Sequence, residues 1–284
     1  MPLGSEHRLS FEFFPPKTAA GIDKLVETRK ALGALNPDFF SVTYGAGGST
    51  RENTKAIVID GLRAGFATAP HLSFGGDETS AIAALLEEYQ NAGVNRIVAL
   101  RGDLPSGFGD GSRLAHANEL VTFIREQTGD HFHLEVAAYP EIHPEARDYA
   151  TDVAFLKQKF DCGANTAITQ YFYNPDAYRY FQDACERAGI DNAIYPGIMP
   201  IANFDNIRRF SQNCGAEIPR WLVHKAESLK DSPQEQQKFF DDFIYALCEE
   251  LLEAGAPGLH FYTMNQVEPT TTICNRLGIR AGQA

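Results

Sequence analysis

What most constrains this chain is a rhythm. A short β-rich run, a loop of Gly, Pro and polar residues, and an amphipathic stretch follow one another eight times without interruption. The first run, 8–13, leads into a helical stretch over 18–35, where Ile22, Leu25, Val26, Leu32 and Leu35 fall on one face. The second run, 39–43, is followed by a helix opening at Ser49, with Glu52 at capping-box spacing. Then come 71–74 with a helix over 80–92, and 96–100 with one over 115–127 carrying Leu120, Phe123 and Ile124 on one side. The fifth pair is 133–138 with 146–160; the sixth is 166–171 with a helix opening at Asn174-Pro175, where Pro suits the first helical position. The seventh run, 193–198, precedes helices over 205–213 and 233–254, the latter striped by Phe240, Phe243, Ile244, Leu247 and Leu251. A last run, 258–262, and a helix over 269–277 close the series.

Eight β-to-α units in 284 residues match the size of a (β/α)8 TIM barrel. A doubly wound open sheet is the competing architecture. The eighth unit, with no second domain to accommodate it, favours the barrel. No linker or composition break divides the chain, so 1–284 reads as one α/β domain with residues 1–7 trailing from it. Active groups of such a barrel are expected at the C-terminal ends of its strands.

Charge narrows the partners. Lys and Arg number 25 against 37 Asp and Glu, a net charge of −12, which argues against nucleic acid. No uncharged apolar run reaches the roughly 18 residues of a membrane span, and the start MPLGSEHRLS lacks a secretory apolar stretch, so the expected location is cytoplasmic. Cys162, Cys185, Cys214, Cys248 and Cys274 are odd in number and form no CxxC pair. They read as reduced, mostly buried thiols.

The strand ends gather the chemistry: Glu12, Thr43-Tyr44, His71, Arg101-Gly102-Asp103, Tyr139-Pro140-Glu141-x-His143, Gln170, and His260 with Tyr262. In Ser10-Phe11-Glu12-Phe13, alternation sends both phenylalanines to one face and Glu12 to the other. If the phenylalanines pack under helices, Glu12 points into the barrel, where burial would keep it protonated for general acid work. The alternative is a salt bridge to an inward arginine such as Arg101. Asp103 is either a ligand contact, reached through the permissive Gly102, or a loop ion pair. For His71 and His143, a satisfied or substrate-contacting role outweighs a metal site, because no HExxH or strand-end HxH occurs. The run 45–50, GAGGST, lacks the third glycine of a dinucleotide fingerprint and reads as a βα loop with a helix N-terminus open to an anion.

Longer blocks carry a family resemblance. SFEFFPPKT (10–18), FSVTYGAGGS (40–49), APHLSF (69–74), VALRGDLP (98–105), VAAYPEIHPEA (136–146), GANTAITQYFY (163–173), PGIMPIANF (196–204) and LHFYTMN (259–265) span the chain in order. In these blocks the sequence resembles the methylenetetrahydrofolate reductases, in their short bacterial form. The resemblance implies a FAD enzyme that reduces methylenetetrahydrofolate with NAD(P)H by ping-pong hydride transfer and feeds methyl groups to methionine synthesis. It is compatible with a homo-oligomer. By matching position it makes Glu12 the catalytic acid and places Asp103 near the flavin and the pterin. It sets Thr43, Tyr44, Ala46, His71, Arg101, Gly102, Tyr139, His143, Asp152 and Lys159 at the flavin. Gln170, Phe210 and Gln266 fall at substrate positions. Phe155 and Gln158 stand where the resembling enterobacterial pattern has Asn and Arg against the adenosine. His116 replaces a tyrosine there, and Gln266 an arginine. Other classes are another flavin barrel without these blocks, a colourless barrel lyase, and a non-catalytic folate binder.

Overall fold

A computed structural model describes residues 8–44, 50–74, 78–101 and 116–279. The expectations for 1–7, for the glycine-rich loop with its Ser49 cap, and for Gly102 and Asp103 lie outside the described residues.

Parallel pairing runs through β1 (Arg8–Phe13), β2 (Phe39–Val42), β3 (Thr68–Leu72), β4 (Arg96–Ala99), β5 (His133–Ala138) and β6 (Thr166–Thr169). It continues into β7 (Ile194–Tyr195), while β8 (Gly197–Ile198) pairs with β9 (Gly258–Tyr262), and β9 returns to β1. The run expected over 193–198 is therefore two short strands hinged at Pro196. Proline has no N–H for the ladder, so the chain changes partner there, from β6 on one side to β9 on the other. Counted as one position, β7 and β8 complete an eight-position, nearly closed parallel barrel.

The helices described are α1 (Ala19–Gly33), α2 (Arg51–Arg63), α3 (Thr79–Asn91), α4 (Ala117–Thr128), α5 (Tyr149–Asp161), α6 (Pro175–Arg187), α7 (Phe204–Cys214), α8 (Arg220–Ser228), α9 (Pro233–Glu253) and α10 (Thr270–Arg276). Their starts follow from local chemistry. Thr18 caps α1 through the N–H of Gly21, and Asn174 caps α6 through Asp176, with Pro175 in the first turn. His116 and Glu119 close a reciprocal capping box on α4. In α1 the buried stripe is Leu25, Thr28, Arg29 and Leu32, whereas Ile22 and Val26 are 44% and 38% exposed. Val26 lies about 100° round the helix from Leu25 and Ile22 sits in the first turn, so neither reaches the sheet.

Two buried clusters record the barrel's two faces. The large one joins outward strand residues to the helices: Phe11 and Phe13 flank Phe40 with ring centroids 5.8 and 5.1 Å away. The small one, Phe39, Ala69, Ile168 and Tyr195, fills the interior. Alternation along β1 thus sends Ser10 and Glu12 inward, beside His260 and Tyr262 of β9. Gly197 is required sterically. A Cβ on Gly197 would strike the Thr169 carbonyl and the Tyr262 ring, and the Gly197 N–H instead donates to Thr169 Oγ1 at 2.9 Å.

Candidate active site

Glu12 sits near the C-terminal end of β1 with its carboxylate between two imidazoles. His71 Nε2, from β3, lies 3.3 Å from Glu12 Oε2, and His260 Nε2, from β9, lies 3.8 Å from it. Both histidines are buried, and neither Nε2 completes a hydrogen bond. Burial pushes the His71 pKa below its usual value, against the pull of Glu12 and with the help of His260, so the ring is neutral at pH 7. On its other side, His260 Nδ1 is 2.7 Å from Ser10 Oγ. The tautomer of His260 sets which of these two atoms donates. Tyr262 completes this wall, its hydroxyl donating to the Thr169 carbonyl at 2.7 Å.

The salt bridge expected between Glu12 and an inward arginine is not formed. Its side chain is 18% exposed rather than sealed, and its charged neighbours are histidines rather than Arg101. Arg101 instead meets Glu145, with Nη2–Oε1 at 3.0 Å and Nη1–Oε2 at 2.5 Å.

A second group forms where β5 passes into α5. The rings of Tyr139 and His143 pack edge to face at 4.6 Å. The His143 backbone N–H donates to Asp152 at 2.8 Å, and its Nδ1 accepts from the N–H of Glu145 at 3.0 Å. Lys159, one helical face along from Asp152, donates to the Ala137 carbonyl at 2.5 Å. Burial lowers the Lys159 ammonium to about 8, with Asp152 opposing. Tyr139, His143, Asp152 and Lys159 are therefore brought together, and Arg101 joins them through Glu145.

The remaining predicted residues surround the same end of the barrel. Thr43 and Tyr44 are half-buried after β2, where the Thr43 N–H donates to Phe13. Gln170 follows β6 and shares a small pocket with Tyr139, Glu141, Tyr171 and Cys214. Phe210 is half-buried on α7, and Gln266 is exposed after β9. Ala46, Gly102 and Asp103 lie outside the described residues. Sequence reading assigned no role to Ser10, Glu145 or Glu141. Ser10 could have been found by alternation, two residues before Glu12, but its pairing with His260 crosses 250 positions.

The profile of the methylenetetrahydrofolate reductases matches residues 4–278. The chain is 39% identical over 276 residues to the 5,10-methylenetetrahydrofolate reductase of Escherichia coli K12, covering 96% of this chain and 92% of that protein. The chain belongs to the methylenetetrahydrofolate reductase family. It is thus an oxidoreductase built for folate chemistry. Another relative, methylenetetrahydrofolate reductase (NADH) 1 of Arabidopsis thaliana, is 35% identical over 95% of this chain, which corresponds to 48% of that longer protein. Among solved structures, an uncharacterized Clostridium thermocellum protein that binds two copies of 5-methyl-5,6,7,8-tetrahydrofolic acid superposes with a TM-score of 0.68. That match has 17% identity and covers 96% of this chain and 93% of the other. At that identity it speaks to the barrel fold alone.

Proposed function

We propose that this protein reduces 5,10-methylenetetrahydrofolate to 5-methyltetrahydrofolate with NAD(P)H, using FAD. The observation that carries the reading is Glu12, an acid at the strand-end face of the barrel, flanked by two buried imidazole nitrogens that complete no hydrogen bond. Membership of the family supplies the substrate class.

The residues present fit a flavin. His71 offers a buried, unsatisfied Nε2, and the β5–α5 group sets aromatic faces, an ammonium and a carboxylate round one rim. On this reading Thr43, Tyr44, Ala46, His71, Arg101, Gly102, Tyr139, His143, Asp152 and Lys159 hold the cofactor. When bound, FAD would supply the hydride carrier between nicotinamide and folate in two successive half-reactions at one place.

The chain's own residues handle protons and charge. Glu12 gives a proton to the folate nitrogen that must leave the methylene carbon, so the five-membered ring opens to an electrophilic iminium. Asp103 offers a negative charge to the cationic folate. Gln170 and Phe210 position folate and nicotinamide in turn, and Gln266 contacts the folate away from the pterin.

Glu12→Gln tests this directly. Anaerobic rapid mixing with nicotinamide should bleach the flavin within about tenfold of the normal rate. Reoxidation by methylenetetrahydrofolate should slow by roughly a hundred- to ten-thousandfold. Equal slowing of both steps, or protein that releases no flavin on acid denaturation, would refute the proposal.

A further inference from the structure

Gln170 is followed in the chain by Tyr171, and Phe210 is followed by Ser211. These two neighbours meet. The Tyr171 hydroxyl and Ser211 Oγ lie 2.9 Å apart, and both residues are buried. Each end of this hydrogen bond is therefore one residue, about 3.8 Å along the chain, from a proposed substrate position.

Tyr171 acts on both sides of the contact. Its backbone N–H donates to Gln170 Oε1 at 3.0 Å, which sets the orientation of that amide. Its ring packs against Tyr173 and Tyr262, with centroids 5.6 and 6.4 Å away, so the phenol is held at the C-terminal end of β6. Across the contact, Ser211 lies in the last turn of α7, and the Cys214 thiol of the same turn donates to the phenol oxygen at 3.5 Å. Tyr139, Gln170, Tyr171 and Cys214 line one small pocket, so the contact borders the site rather than the outer layer of the barrel.

A buried hydroxyl pair is a demanding way to hold a helix. Either hydroxyl left alone there bears its desolvation cost, a condition that two apolar side chains of the same shape would not impose. What the pair adds is register, because it fixes α7 against the end of β6 to within a hydrogen-bond length.

We propose that Tyr171 and Ser211 are positioning residues that set the spacing between Gln170 and Phe210, and so the slot that folate and nicotinamide occupy in turn. The proposal rests on the reading of Gln170 and Phe210 as substrate residues. Both hydroxyls act through their neighbours and take no part in proton or hydride transfer. Since one slot serves both half-reactions, loosening it weakens the hold on both substrates and leaves the chemical steps alone.

Tyr171→Phe keeps the ring contacts and removes the hydroxyl. In the flavin-loaded protein, KM for methylenetetrahydrofolate and KM for the nicotinamide should each rise about fivefold, the share of one hydrogen bond. The kcat value should stay within about twofold, as expected when binding is lost equally from ground and transition states. Ser211→Ala should do the same. The double variant should be no worse than the more affected single variant, because both changes remove one bond. A bond that served stability alone would lower the melting temperature and the active fraction, reducing kcat while sparing KM. That outcome overturns the proposal, as do unchanged KM values in both single variants or effects that multiply in the double variant. Gln170→Ala and Phe210→Ala, run alongside, separate the causes. If neither raises KM for either substrate, the substrate reading falls and the positioning with it; if they raise it while Tyr171→Phe does not, the positioning alone is wrong.

Discussion

Glu141 accepts the backbone N–H of Glu217 at 2.8 Å, fastening the loop after β5 to the segment between α7 and α8. Burial drives the Glu141 carboxyl up to about 7, against the Glu217 N–H and with the repulsion of the Glu217 charge. A carboxyl raised in the folded state stabilises the fold fully below its unfolded value and loses that contribution as pH rises through about 7. Allowing for its partial exposure, the loss between pH 5 and 8 should be about 1–2 kcal/mol. Glu141→Gln keeps an oxygen for the N–H but cannot ionise, so melting curves at pH 5, 7 and 8 should flatten. An unchanged slope in that variant would assign the pH dependence elsewhere.

Arg101 and Glu145 form a forked pair, but the side chains are 33% and 61% exposed. Such a pair contributes at most about 1 kcal/mol to stability, so its weight falls on binding. If Arg101 contacts the cofactor, Glu145 competes for the same guanidinium. Glu145→Gln should then tighten FAD about threefold to tenfold, and Arg101→Ala should weaken it by about tenfold. Fluorescence titration of flavin-stripped protein measures both. FAD affinity indifferent to both changes would remove Arg101 from the cofactor site.

How much of this could be read from the sequence depended on the range of the interactions. β1, β5 and β9 were expected at the bounds observed, because their alternation and flanking loops are local signals. The inward direction of Glu12 followed from the phenylalanines on either side of it. The helix α8 was not foreseen: it is 9 residues long and buries chiefly Leu222 and Ala226, too few for a stripe, while Trp221 stays 54% exposed. The histidine pair around Glu12 was illegible for another reason. His71 and His260 come from strands far apart in the chain, and only closure of the barrel brings them to one carboxylate.

Glu135 marks the opposite case, a buried charge below the site. It is fully buried on β5, paired with Arg96, bonded to the Thr166 hydroxyl and 3.5 Å from His133 Nε2. Burial alone would raise its carboxyl, but His133, Arg96 and Thr166 together hold it below the usual range. A depressed carboxyl contributes stability that is present above its unfolded value, near 4.5, and is lost as pH falls through the folded one. Glu135→Ala strands the Arg96 charge and should cost about 3–5 kcal/mol. Urea titrations at pH 7 and pH 4 should show that penalty shrinking in acid. A loss below about 1 kcal/mol at pH 7 would mean that the network is electrostatically idle.

The adenosine end of the proposed flavin site can be tested on α5, where Phe155 is 50% exposed beside the buried Val153 and Leu156. Gln158 is likewise exposed. Neither side chain is needed to cover the sheet, so Phe155→Asn with Gln158→Arg should change stability by less than about 0.5 kcal/mol. These are the residue types that the resembling enterobacterial pattern carries, and they add hydrogen-bond donors where this chain has a phenyl ring and an amide. FAD should bind the double variant several-fold more tightly. FMN, which lacks the adenosine, should bind both proteins alike. The ratio of the two affinities isolates the adenosine contact from any general change in the barrel mouth. Equal gains for FAD and FMN would place the effect at the flavin ring, and no gain for either would separate α5 from the cofactor.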